Sequence, residues 1–113
     1  MRTVSGEIVL PADVAPGAAA RIRVEVRDVS VVDAPSSVLA STILRRATLA
    51  SRGRIPFALQ VPEAPGRRLA LRVQIDRREG TRSLGGDYLT TESLGVADSG
   101  DVTDVVAPVK PSR

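Results

Sequence analysis

The residues able to do chemistry in this chain are few, and they fall into short groups. Asp28 and Asp33 lie close together in "RDVSVVDAP". Two neighbouring carboxylates can serve as acid and base when their surroundings push their pKa values apart. Asp98, Asp101 and Asp104 in "ADSGDVTD" could gather oxygen ligands for calcium, although they lack the spacing and the closing Glu of an EF-hand loop. Arg21, Arg23 and Arg27, with Arg72 further along, could present guanidinium groups to phosphates or to an acidic partner. Ser83-Leu84-Gly85-Gly86-Asp87 contains glycines but no Gly-Lys-Ser/Thr and no following helix, so a phosphate loop is not indicated. Thr90 and Thr91 beside Tyr88 offer hydroxyls without a base.

Composition removes most other chemistry. The 113 residues include no Cys and no His. That excludes disulfides, thiolate and imidazole metal sites, Cys nucleophiles and Ser-His pairs within the chain. No catalytic residue, cofactor-binding residue or metal ligand is assigned, and no cofactor is expected. The formal charge is +3, nearly all of it from arginine, since Lys110 is the only lysine. Single-stranded nucleic acid also needs aromatic stacking platforms, and Phe57 and Tyr88 are the only aromatics. A nucleic-acid partner is therefore not expected. No signal peptide and no apolar run of membrane-spanning length is visible. The expected location is cytoplasmic if Met1 is the native start, and periplasmic or envelope if an export segment has been removed.

The elements that must carry these groups are strands. Val4, Gly6, Ile8 and Leu10 share one parity. Ile22, Val24 and Val26 alternate with Arg21, Arg23, Glu25 and Arg27. Ile55, Phe57, Leu59 and Val61 repeat the pattern, as do Leu69, Leu71, Val73 and Ile75. Period two places one set on a buried face and the other on a polar face. Weaker candidates are Val38 to Leu49, Tyr88 to Ser93 and Val102 to Val109; Ser41, Thr42, Ile43 and Thr48 favour strand over helix in the first of these. Pro and Gly clusters fall between the runs. This predicts an all-β fold: a single-domain antiparallel β-sandwich of about seven short strands over residues 1–106, with residues 107–113 as a frayed tail. Pro56 must then lie on an edge, at a bulge, or with its nitrogen facing solvent.

Placed on that frame, most candidate sites read as architecture. Asp28 and Ser30 follow the last inward residue, Val26, where short polar side chains bond to nearby backbone as a strand ends. Asp33 before Ala34-Pro35 is a second turn signal. The aspartates of "ADSGDVTD" suit a turn that also keeps a β edge charged. Tyr88 and Phe57 suit packing. Arg21, Arg23, Arg27 and Arg72 form a possible basic binding face, with Glu7, Glu25 and Asp76 available as cross-strand partners.

The order of "VSGEIVLP", "IRVEVRDVSVVDAPSSVLAS", "GRIPFALQVPEAPGRRLALRVQI" and "YLTTESLGV" resembles the YbaY/YscW-like family of small bacterial envelope proteins, over roughly Val4 to Val96. That family includes lipoproteins and type III secretion pilotins. The resemblance implies a β-sandwich, a non-enzymatic role and, for pilotins, escort of a secretin subunit. The lipoproteins carry an acylated cysteine, which these residues do not contain. The resulting expectation is a non-catalytic accessory module that binds a protein or peptide at an exposed strand edge or a shallow aliphatic groove. The alternatives are a carboxylate- or metal-dependent enzyme and a purely structural or oligomerising domain.

Overall fold

The computed structural model describes residues 1–14, 16–31, 33–77, 88–90 and 94–111. The first alternating run folds as β1 (Arg2–Val9), with Val4 and Ile8 fully buried and Glu7 exposed between them. β1 is the middle of a three-stranded sheet. It pairs antiparallel with β6 (Arg54–Val61) and parallel with β10 (Val102–Pro108). The second sheet is built on β3 (Arg21–Asp28) and β7 (Leu69–Asp76), antiparallel in unbroken register from Arg21 opposite Asp76 to Asp28 opposite Leu69. β4 (Ser37–Leu44) flanks β3. On the other side of β7 lie β9 (Leu94–Val96) and β8 (Tyr88–Leu89), one after the other, and β11 (Lys110–Pro111) pairs with β8. β2 (Gly17–Ala19) and β5 (Ala47–Leu49) form a separate two-stranded ribbon.

The inward faces of both sheets share one aliphatic core. Ile22, Val24 and Val26 of β3, Leu71, Val73 and Ile75 of β7, and Leu59 and Val61 of β6 belong to a single buried cluster with Val4 and Ile8. Each such side chain contributes about 1.5–3 kcal/mol by leaving water. Phe57 and Tyr88 are buried in the same cluster, as packing residues. The described residues thus form an all-β fold without a helix.

Several expectations need correction. The described residues hold eleven strands, not about seven, and the β1–β10 pair is parallel. The run from Val38 to Leu49 divides because Arg46 adopts a positive φ of 59°, which breaks a strand. The alanine-rich β2 has no polar alternation to reveal it. Residues 107–111 are not frayed. Ala107 and Val109 are buried, Pro108 pairs with Val9, the Val109 N–H donates to the Val9 carbonyl, and Lys110 and Pro111 pair with β8. Long-range pairing here outweighs the local signal of a proline-rich end. β10 and β11 thereby run on from one sheet to the other. Pro56 lies on β6, which among the described strands pairs only with β1 and is an edge, where proline is tolerated.

Gly6 permits the parallel pair. A Cβ built there would lie 2.1 Å from the Val105 carbonyl oxygen. The β1–β10 register also shifts between Val4 and Gly6, and Asp104 holds a φ of 60° in the bulge opposite. Aspartate tolerates that left-handed region better than most residues.

Candidate functional site

The carboxylate pair does not assemble into an acid and a base. Asp28 ends β3 and closes a turn: its Oδ1 accepts the Ser30 N–H at 2.9 Å, and its Oδ2 accepts the Arg67 Nε–H at 2.7 Å. Hydrogen bonds from the Ser30 hydroxyl and N–H, then the Arg67 guanidinium, hold the Asp28 carboxyl down at about 2. A group so acidic stays ionised and makes a poor proton donor at neutral pH. Ser30 Oγ also accepts the Arg68 N–H at 2.8 Å, and the Val29 N–H donates to the Arg68 carbonyl. Asp28-Val29-Ser30 therefore fastens the end of β3 to the start of β7. Asp33 is exposed.

The acidic run is spent in the same way. Asp98 Oδ2 accepts the Gly66 N–H at 2.7 Å, and Asp101 Oδ1 accepts the Thr3 N–H at 2.9 Å. Among the described residues no group of three metal-ligating side chains gathers. Thr90 mends the sheet beside β7: its N–H donates to the Val73 carbonyl and its Oγ1 accepts the Val73 N–H. Residues 83–87 and Thr91 lie outside the described residues.

The four arginines of the basic row divide into two pairs. Arg21 directs Nε and Nη2 onto Asp76 Oδ2 at 3.1 and 2.8 Å, across the β3–β7 ladder. Asp76 is only 2% exposed, and its Oδ1 has no hydrogen-bond partner among the described residues. Arg27 bonds Glu25 Oε1 at 2.9 Å, Ser36 Oγ at 2.7 Å and the Ser36 carbonyl at 3.1 Å, which fixes the start of β4. Arg23 and Arg72 form no ion pair with a described residue. Arg72 faces Glu25 across the ladder, and Arg23 faces Gln74 on one side and Ile43 on the other. Glu7 instead meets Arg54 at 3.5 Å.

What sequence reasoning did not locate is the strand edge beside this row. β4 pairs with β3 on one side and with no described strand on the other. Its first residues carry a bulge where Arg27 pairs with Val38 and Val26 with Ala40, after which Ala40-Ser41-Thr42-Ile43-Leu44 runs in regular register. Val38 and Ile43 are 46% and 44% exposed, although Leu39, Ala40 and Leu44 pack on the core. Other edges are defended. β6 carries Pro56; β10 carries its bulge, Asp104 and Pro108; β9 and β11 are three and two residues long. β4 contains neither proline nor charge. β6 comes close to β4 without forming a ladder, so the sandwich has a seam here that no backbone hydrogen bond between described strands closes. The signal available in sequence was the charge-free, β-branched "ASTIL", but its position at an edge depends on topology.

The first 83 residues match the family of YscW, the type III secretion system lipoprotein chaperone. The chain belongs to the YscW family. Among solved structures, an alternative pilotin from the type II secretion system of Vibrio cholerae is similar in fold, with a TM-score of 0.66 over 96% of each chain at 17% identity. No curated protein matches the sequence at a significant level. Within this YscW-family chain, β4 ends its sheet beside β3, the strand that carries Arg21, Arg23 and Arg27.

Proposed function

We propose that this YscW-family chain is a non-catalytic, chaperone-like binding module that holds an extended segment of a secretion-system protein along β4. The observation that carries this reading is the undefended edge from Ala40 to Leu44. Its outward N–H and C=O groups have no described strand to bond, and a partner strand would satisfy them. Val38 and Ile43 supply apolar contact, and Arg23 and Arg72, which form no ion pair with a described residue, supply positive charge that speeds encounter with an acidic partner. The family description and the pilotin-like fold support a partner of this kind and a place in the envelope. The chemistry available to an enzyme is correspondingly thin, since Asp28, Asp98 and Asp101 are engaged in backbone turns.

The test is a pull-down from the native organism at low salt, followed by amide-shift and hydrogen-exchange mapping of the isolated complex. Strand addition slows exchange of the outward amides between Ser37 and Leu44. The double variant Val38→Lys, Ile43→Lys loses the partner while its stability stays within about 0.5 kcal/mol of the parent, because both side chains are exposed. Retained binding with protection elsewhere refutes the edge. Shifts confined to Arg21, Arg23, Arg27 and Arg72 with nucleic acid as the only ligand would replace it by a basic-face reading.

A further inference from the structure

A concave surface lies on the sheet formed by β10, β1 and β6. It is a groove of about 420 Å³ lined by β1, β6 and β10, with Glu7, Pro56, Phe57, Asp104, Val105 and Val106 among its walls. The β10 bulge gives it its shape. Asp104 is held at a φ of 60°, and the Val105 backbone closes against the bare Cα of Gly6. Val106 beside it is 54% exposed. Asp98 and Asp101 belong to the stretch before β10, and neither they nor Thr3 of β1 line it.

The chemistry of the walls selects one kind of occupant. Apolar surface from Pro56 and Val106 adjoins two carboxylates, Glu7 and Asp104, and no basic residue is among the described residues that line the groove. An anionic group would be repelled by both carboxylates. A neutral apolar side chain would strip water from them without compensation. A long side chain with an apolar stem and a cationic head satisfies both parts at once. Arginine fits best, because its planar fork pairs with a carboxylate through two donors and its charge is not lost at ordinary pH. The chain supplies its own indication of this preference: Arg54 Nη1 reaches Glu7 Oε1 at 3.5 Å. That pair is exposed on both sides, so an incoming guanidinium displaces it at little cost.

We infer that this groove receives an arginine side chain from an extended segment of a protein partner. The site is distinct from the β4 edge, which lies on the other sheet and carries no charged residue of its own.

The experiment uses three blocked tripeptides, Ala-Arg-Ala, Ala-citrulline-Ala and Ala-Glu-Ala, titrated into the labelled protein at low ionic strength and followed by amide shifts. The expected result is saturable shifts at Gly6, Glu7, Val105 and Val106 with the arginine peptide, and at least about tenfold weaker binding of citrulline, which keeps the shape and loses the charge. The glutamate peptide leaves these amides unmoved. Binding of the arginine peptide falls as salt shortens the screening length. The double variant Glu7→Gln, Asp104→Asn weakens it by about tenfold or more. Asparagine keeps the tolerance for positive φ, so the groove's backbone is preserved. Equal binding of arginine and citrulline peptides, shifts that map to β4 or elsewhere, or no saturable shift in the wild-type protein would overturn the assignment.

Discussion

Replacing Gly6 by alanine tests how β1 and β10 are held together. The new methyl group would sit 2.1 Å from the Val105 carbonyl oxygen and 2.7 Å from Val105 C and Cβ. Ordinary contact begins near 3.4 Å, so β10 must retreat by roughly 1 Å or more, and two of the three atoms in the way are backbone. Such a retreat strains the ladder that pairs Gly6 with Val105, Glu7 with Val106 and Ile8 with Ala107. Overpacking of this kind costs about 1–3 kcal/mol, and each weakened ladder bond adds about 0.5–1.5 kcal/mol. Alanine returns about 0.4–1 kcal/mol by restricting the unfolded chain. The net expectation is a loss of about 2–3 kcal/mol, or a fall in Tm of roughly 10 °C for a domain of this size. Gly95 on β9 is the internal control, since a Cβ there meets nothing within 4 Å and its φ is not positive. Gly95→Ala should stay within about 0.5 kcal/mol of the parent. Both are measured by urea and thermal unfolding followed by far-UV circular dichroism. If Gly6→Ala matched Gly95→Ala, the close approach of β10 would be the wrong explanation for the glycine.

Further perturbations follow from the same geometry. Val24→Asp and Leu71→Asp each bury a charge without a partner and should unfold the protein or cost more than about 3 kcal/mol, whereas Arg23→Ser and Arg72→Ser should cost about 0.5 kcal/mol or less; the reverse order in denaturant titrations would mean the faces are misassigned. Arg21→Ala leaves both oxygens of the buried Asp76 without a described partner, and should cost about 2–3 kcal/mol after allowance for the partial exposure of Arg21. Asp28 has a folded pKa lowered from 3.8 to about 2, so its contribution is complete above about pH 4 and is lost as the pH falls toward 2. Asp28→Asn should accordingly flatten that part of the stability–pH curve, and an unchanged acid limb would show that the Ser30 and Arg67 contacts are not holding the carboxylate.

The alternating runs in β1, β3, β6 and β7 were enough to define strands and their buried faces, because period two follows from backbone geometry and needs no knowledge of the partner strand. The absence of Cys and His removed whole classes of chemistry, and the short polar residues of Asp28-Val29-Ser30 announced the turn they make. Pairing was beyond that signal. A strand has the same alternation in the middle of a sheet or at its edge, so nothing local marked β4 as open or β10 as parallel to β1. Gly6 carried a hint, since glycine inside a strand often marks a bulge or a close approach, but its reason lies on a segment a hundred residues away. The prolines after Ala107 pointed to fraying, yet Ala107 and Val109 are buried because contacts with β1 and β8 outweigh local preference. The four arginines were visible as a row, while their division into Asp76- and Glu25-bound members and two without a described ion-pair partner depends on cross-strand register and reach. The groove between Glu7 and Asp104 has the same origin: tertiary structure brings the two carboxylates to one concave surface, because parallel pairing sets the last long strand beside the first.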